Sequence, residues 1–213
     1  MPAKLLEIFE DEKLVRKIQS RLPYLFQLAE MESSRAGKIG MEVGSLREQI
    51  IIALLIYKFG EENVDTTIPI TEPMIDVCLF GEPLSIKTIT GKSFGGVKLT
   101  WTVDAQKAKE FQLTFQPKCD LLLVQVNWND EGGLFYIPLQ TQQRHFQALG
   151  KDKFIKLPKE GTNPRGVEIS KEALTLLITD SETIKIPIFW ERREVKFNPY
   201  KRWVELWGED DET

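Results

Sequence analysis

The chain has 213 residues, of which 42% are hydrophobic, 10% aromatic and 28% charged, enough apolar material for a sizeable core and too little bias for a disordered or collagen-like chain. Twenty-eight Lys and Arg against 32 Asp and Glu leave a net charge of −4, which excludes bulk neutralisation of nucleic acid as a function but leaves room for a focused basic groove. One histidine and two cysteines outside any CxxC spacing exclude zinc-finger and multi-histidine sites, so a metal would have to be held by carboxylates, which suits Mg²⁺ or Ca²⁺.

No apolar run reaches the roughly 18 residues of a membrane span. Met1-Pro2-Ala3-Lys4 leads into an amphipathic pattern instead of a signal peptide, so a soluble, cytoplasmic protein is expected. The apolar stripe Leu5, Ile8, Phe9, Leu14, Val15 and Ile18 predicts a helix to Arg21, broken by Pro23 before a short helix from Tyr24 to Met31. Together they read as a helical cap or interaction arm. The small, cationic stretch Ser33 to Gly44 reads as a loop. A strongly apolar helix follows from Ser45 to Phe59, ended by Gly60.

Short β-type runs come next, at Thr66–Ile70, Met74–Phe80 and Leu84–Thr90. A helix is expected near Thr102–Phe115, then strands at Cys119–Trp128 and Leu134–Leu139 around the turn Asn129 to Gly133. Beyond them lie a helix at Gln140–Leu149, a loop from Lys151 to Arg165, a helix at Ser170–Ile178, a strand at Thr183–Trp190 and an acidic tail, Glu209-Asp210-Asp211-Glu212. Cys78 and Cys119 fall inside apolar runs and are expected as reduced core residues. This order predicts an α/β fold, a central mixed sheet flanked by helices with an N-terminal helical cap.

The informative segment runs from Thr71 to Thr88. Gly81 and Pro83 in Phe80-Gly81-Glu82-Pro83 mark a turn between two strands. With those four residues as the loop and Leu79 facing Leu84, Cys78 lies opposite Ser85 and Asp76 opposite Lys87. Directly opposed side chains have Cβ atoms roughly 5 Å apart, so Asp76 and Lys87 are expected to project together. They form either a structural ion pair or a catalytic one. Charge in an apolar hairpin costs several kcal/mol unless compensated, and catalytic sites are where such costs are tolerated.

Asp76, eight intervening residues and then Ser85-Ile86-Lys87 resemble the PD-(D/E)xK nuclease motif, with Pro73 ahead of the aspartate in a loosened form and Ser85 where the second acid usually stands. The resemblance covers about residues 42 to 128. With Glu32-Ser33-Ser34-Arg35 and Gly161-Thr162-Asn163-Pro164-Arg165-Gly166, the whole chain is similar to small type II restriction endonucleases of the ThaI sort. That implies a restriction-endonuclease-like fold over 1–213, with an arm at 1–32, a catalytic core at 42–139 and a DNA-contact and packing region at 140–213. It also implies Mg²⁺ as cofactor, Asp76 as principal metal ligand, Lys87 as water-orienting cation and 5′-phosphate products.

Ser85, a hydroxyl, is a poor Mg²⁺ ligand, so the missing charge has to come from elsewhere. Glu48 is the first candidate, as catalytic residue and metal ligand. The alternative is a capping box, Ser45-Leu46-Arg47-Glu48, in which Glu48 bonds back to the Ser45 amide. Glu72 and Glu110 are further candidates, although Glu110, among Lys107 and Lys109, reads better as a solvated helix face. Gly91-Lys92-Ser93 is no Walker A loop, because Ile86 stands where its first glycine belongs. His145 has no nucleophile in a recognisable setting.

DNA contacts are expected from Arg35 and Lys38, from Lys92 and Lys98 in a glycine-containing segment, and from Asn163 and Arg165, a pair suited to base edges. Each basic run is also readable as a plain solvated surface. The five tryptophans are expected in the core or a dimer interface before base stacking. A palindromic duplex would call for a homodimer, with the N-terminal helices as an interface. The function implied is Mg²⁺-dependent cleavage of double-stranded DNA at a specific sequence. The alternatives are a repair or junction nuclease of the same superfamily and a non-catalytic DNA- or protein-binding domain.

Overall fold

The structure, a computed structural model, describes residues 3–35, 38–39, 42–69, 72, 74–94, 96–102, 104–159 and 166–208. It opens with α1 (Ala3–Glu10) and α2 (Glu12–Glu32). Asp11 separates them, its carboxylate accepting from the Leu14 amide at 3.0 Å as the N-cap of α2. Pro23 does not break the helix as expected; it sits buried inside α2. An interior proline costs about 3 kcal/mol, and the seam Leu14, Ile18, Leu22 and Phe26, all buried, outweighs it.

The stretch expected as a loop forms a small hairpin, β1 (Ser34–Arg35) with β2 (Lys38–Ile39). Helix α3 (Val43–Phe59) begins two residues before Ser45, with Glu42 at its N-cap, and ends at Gly60, whose φ of 88° a glycine tolerates. β3 is Val64–Asp65 and not Thr66–Ile70, because the Asp65 carboxylate takes the Thr67 amide at 2.8 Å and turns the chain; Ile70 lies outside the described residues.

β4 (Val77–Leu79) and β5 (Glu82–Thr90) form the expected hairpin in a different register. Leu79 pairs with Glu82, Cys78 with Pro83 and Val77 with Leu84. The turn is the two residues Phe80 and Gly81, at φ 52° and 81°, the primed geometry whose twist matches paired strands. Phe80 is held in that strained conformation by an edge-on contact with Phe59 at 5.5 Å and by Lys4 over its ring at 4.0 Å.

β6 (Val97–Thr100) and α4 (Ala105–Thr114) cross over to β7 (Asp120–Val126), which lies parallel to β5. β8 (Glu131–Ile137) returns antiparallel. Gly132 and Gly133 belong to this strand instead of the turn: a Cβ on Gly132 would lie 2.2 Å from the Gln125 carbonyl oxygen, so only glycine lets the strands approach there. Then follow α5 (Leu139–Leu149), α6 (Lys151–Phe154), β9 (Ile155–Lys156), β10 (Val167–Ile169), α7 (Lys171–Thr179), β11 (Ile184–Phe189) and α8 (Lys201–Gly208). The pieces within the expected loop, and β6, β10 and α8, are too short for a clear periodic signal.

The main sheet is mixed, in the order β11-β8-β7-β5-β4-β3, and a second sheet runs β6-β10-β9. β7 is buried on both faces, as a central strand next to a parallel neighbour should be. Leu122, Val124 and Val126 face one core with α1, α2 and α3, while Leu121 and Leu123 face the other with α4, α7 and the small sheet. Among the described residues no helix is long and apolar enough to cross a membrane.

One buried polar hub ties these layers together. Glu30 and Arg47, 3% and 4% exposed, form an ion pair between α2 and α3. Glu30 also accepts from the Trp128 indole at 2.7 Å and from Arg192 at 2.6 Å. Arg47 donates to the Thr90 hydroxyl, at the end of β5, at 2.8 Å. Removing one partner of such a pair leaves an uncompensated buried charge, so Glu30→Ala should lower unfolding free energy by about 3–5 kcal/mol. Arg16→Ala, which loses only an exposed pair with Glu12, should cost under about 1 kcal/mol. Urea denaturation midpoints of the two variants check the contrast.

Candidate active site

Strand β4 begins at Val77, and at the position before it the side chain of Asp76 adds to the backbone pairing. Its Oδ2 accepts from the Ile86 amide at 2.6 Å, the Ser85 hydroxyl at 3.1 Å and the Lys87 ammonium at 2.7 Å. The Asp76 amide donates to the Leu84 carbonyl at 3.0 Å. The hairpin register is displaced by two residues from the expected one, and an even displacement keeps every side chain on its face. Asp76 and Lys87 thus become diagonal neighbours instead of opposed ones, within reach of the long lysine stem. Their side chains are 19% and 12% exposed, open enough to meet a ligand yet shielded from bulk water.

Glu48 joins them from α3. With the helix starting at Val43, Ser45 lies inside the first turn and the capping box does not form. Burial pushes the Glu48 carboxyl up to about 7, against the pull of Lys87 and with the push of Asp76. Glu48, Asp76 and Lys87 therefore share one electrostatic neighbourhood. The hub described above fixes it: Arg47, the residue before Glu48, grips the end of the strand that carries Lys87.

Among the described residues no cluster of three acidic, histidine or cysteine ligands gathers. Two carboxylates remain, and this donor set fits Mg²⁺, which characteristically takes one or two carboxylates and fills its octahedron with water and substrate phosphate oxygens. These three hydrogen bonds to the Asp76 carboxylate all fall on Oδ2.

Ser85 is buried, with its hydroxyl on Asp76. Glu72 is exposed, and Glu110 is an exposed helix-face residue bonded to Gln106 at 3.1 Å. Cys78 and Cys119 are free thiols; burial pushes Cys119 up to about 11, so it is inert as a nucleophile. His145 bonds Asp180 at 2.7 Å.

Of the candidate DNA-contacting residues, Arg35 and Lys38 pair with one another across the β1–β2 hairpin. Lys92 is exposed and pairs with Asp130 at 2.6 Å. Lys98 lies 3.4 Å over the ring of Trp101. Pro73, Asn163, Arg165 and the acidic tail lie outside the described residues. Trp128 and Trp190 stack edge-on at 5.7 Å, as expected of core residues, whereas Trp101, Trp203 and Trp207 are exposed. Neither the hub nor the exposed Trp101 was legible beforehand, since Glu30 and Arg47 carry no motif.

The family described as restriction endonuclease ThaI matches residues 8–209. A solved structure described as a restriction endonuclease in complex with substrate DNA is 63% identical, with a TM-score of 0.91 over 97% of this chain and 99% of that one. No curated protein matches the chain.

The raised Glu48 carboxyl has a measurable consequence in metal-free protein. The folded state holds a proton that the unfolded chain releases near pH 4.5, so stability should fall as pH rises from about 4.5 to about 7 and flatten above it. Glu48→Gln should remove that part of the slope. Denaturant midpoints at pH 5 and pH 8, with chelator present, compare the two proteins.

Proposed function

The chain belongs to the ThaI restriction endonuclease family, and on that premise we propose that it cleaves double-stranded DNA at a short specific sequence, with Mg²⁺ as cofactor and 5′-phosphate ends as products. The observation that carries this reading is the convergence of Asp76, Lys87 and Glu48. The solved relative with its substrate DNA supports DNA as the target. We place the enzyme in the cytoplasm and treat residues 1–213 as one nuclease domain.

Asp76, through Oδ1, and Glu48 would hold the divalent ion. Bound there, it supplies charge neutralisation at the scissile phosphate and acidifies the attacking water. The residues of the chain do the positioning. Lys87 has one N–H on Asp76 and two left, which orient a water for in-line attack and meet a phosphate oxygen. Ser85 and the Ile86 amide lock the Asp76 carboxylate in one rotamer, so Ser85, at the place of the family's second acid, acts as a positioning residue. Glu48 supplies the acid that Ser85 does not.

Lys92 and Lys98, with Arg35 and Lys38, give the electrostatic footing on the backbone, while Asn163 and Arg165 have the chemistry for base edges. A homodimer would bring one such site to each strand of a palindrome.

Plasmid DNA incubated with the protein and Mg²⁺ should give discrete fragments. Asp76→Ala and Lys87→Ala should each slow cleavage by at least about a hundredfold while leaving DNA binding intact. Cleavage confined to branched DNA would mark a junction enzyme instead, and no cleavage with any divalent ion a binding module. Lys92→Ala should keep the fragment pattern, weaken binding and reduce the salt slope by about one.

A further inference from the structure

The hub of Glu30 and Arg47 has a third charged member, and this one reaches the surface. Arg192, in the segment after β11, donates through Nη2 to Glu30 at 2.6 Å, and its guanidinium lies 4.3 Å over the ring of Trp128. Its side chain is 43% exposed, against 3% for Glu30. Among the described residues Nη1 and Nε of Arg192 meet no acceptor, so part of its five-donor fork is open to a ligand. Both ends of the side chain are fixed. Gln27 of α2 clips the next residue, accepting from the Arg193 amide at 3.0 Å and donating to its carbonyl at 2.7 Å. The β7–β8 turn that carries Trp128 is latched to the same segment: the Asn129 amide donates to the Trp190 carbonyl at 2.6 Å, and the Trp190 amide to the Asp130 carbonyl at 3.0 Å. A guanidinium held in this way has little entropy left to lose on binding.

Charge gives the chemistry of that ligand. One carboxylate serves two guanidinium groups, while the neighbouring acids Asp130 and Glu191 are engaged by Lys92 and Arg193. Arg47 and Arg192 therefore repel each other across Glu30, and Arg47, 4% exposed, has almost no water to screen it. An anion on the open side of Arg192 would balance the cluster. A planar fork with a free edge fits the paired oxygens of a phosphate.

Position gives its source. Lys92 stands two residues beyond Thr90, the strand end that Arg47 holds, and the β1–β2 hairpin leaves α2 four residues after Glu30. Thr90 and Lys87 are three residues apart on β5, about 10 Å, the rise of about three nucleotides. We propose that Arg192 clamps a backbone phosphate of the substrate DNA close to the scissile one, and that this phosphate supplies the negative charge the hub lacks. Because Arg47 precedes Glu48 and holds the end of β5, the contact also steadies α3 against the strand that carries Lys87. Arg192 is thus a positioning residue. The inference rests on the preceding reading of DNA as substrate.

Arg192→Gln leaves Glu30 its pair with Arg47, so the variant should fold, which its urea midpoint verifies. With a random-sequence duplex and chelator present, it should bind at least about tenfold more weakly than wild type. The slope of log affinity against log salt should shrink by about one for each bound copy. Arg16→Gln, at the other end of α2 and paired with Glu12, should match wild type. On a duplex spanning a mapped cut, a neutral methylphosphonate moved along the strand should find one position beside the cut whose cost to wild type vanishes in Arg192→Gln. Should Gln loosen the packing on Trp128, Arg192→Met, whose stem still covers the indole, takes its place in each measurement. The proposal is overturned by a folded variant with unchanged affinity and slope, the mark of a purely structural arginine, or by methylphosphonate costs that persist in the variant at every position. The slope is read without cleavage, so the clamp and the nuclease reading can fail separately.

Discussion

The interaction on which the arrangement rests is the ion pair of Glu30 with Arg47. Removing each charge from water costs several kcal/mol, and the partners that both groups gain offset it, although the Arg47 Nε is buried without one. Glu30 receives Arg47, the Trp128 indole and Arg192, and Arg47 adds the Thr90 hydroxyl and the face of Phe26, 5.5 Å from its guanidinium. These partners come from α2, α3, the end of β5, the β7–β8 turn and the segment after β11. A greasy contact at this point would tolerate sliding; a buried charge with fixed donors does not. Position along α3 relative to β5 is thereby set to within a hydrogen bond.

That constraint matters because Glu48 follows Arg47 and Lys87 precedes Thr90 by three residues. The helix brings one carboxyl, the strand brings the ammonium, and the residue before β4 brings the second carboxyl. Asp76 is held by three donors at Oδ2, so its side chain keeps little rotamer freedom. Glu48 has the opposite character: burial without a full partner leaves its carboxyl at about 7. A fixed carboxylate in the neighbourhood of one raised by burial marks this pocket as a candidate functional site.

The hairpin shows why the site was readable even though its register was not. Expecting a four-residue loop displaced the pairing by two, and two is the period of a strand, so Asp76 and Lys87 stayed on one face. A displacement of one would have separated them. The same parity logic recovered β5, β7 and most of β8, whose apolar patterns are dictated by burial. Pro23 misled because a single residue's local preference was weighed without the seam of buried side chains around it, and the Ser45 capping box failed because the helix began earlier, at Val43.

The amino-acid sequence determined the fold class and the meeting of Asp76 with Lys87 on one face of the hairpin, because these follow from periodicity and spacing, which are local. It left Glu48 between a cap and a ligand, and it said nothing of the Glu30–Arg47 hub, the β6-β10-β9 sheet or the exposure of Trp101 and α8. Those depend on which distant segments meet. A carboxyl's charge state is set by the water it loses and the charges it gains, and both are properties of the packed chain.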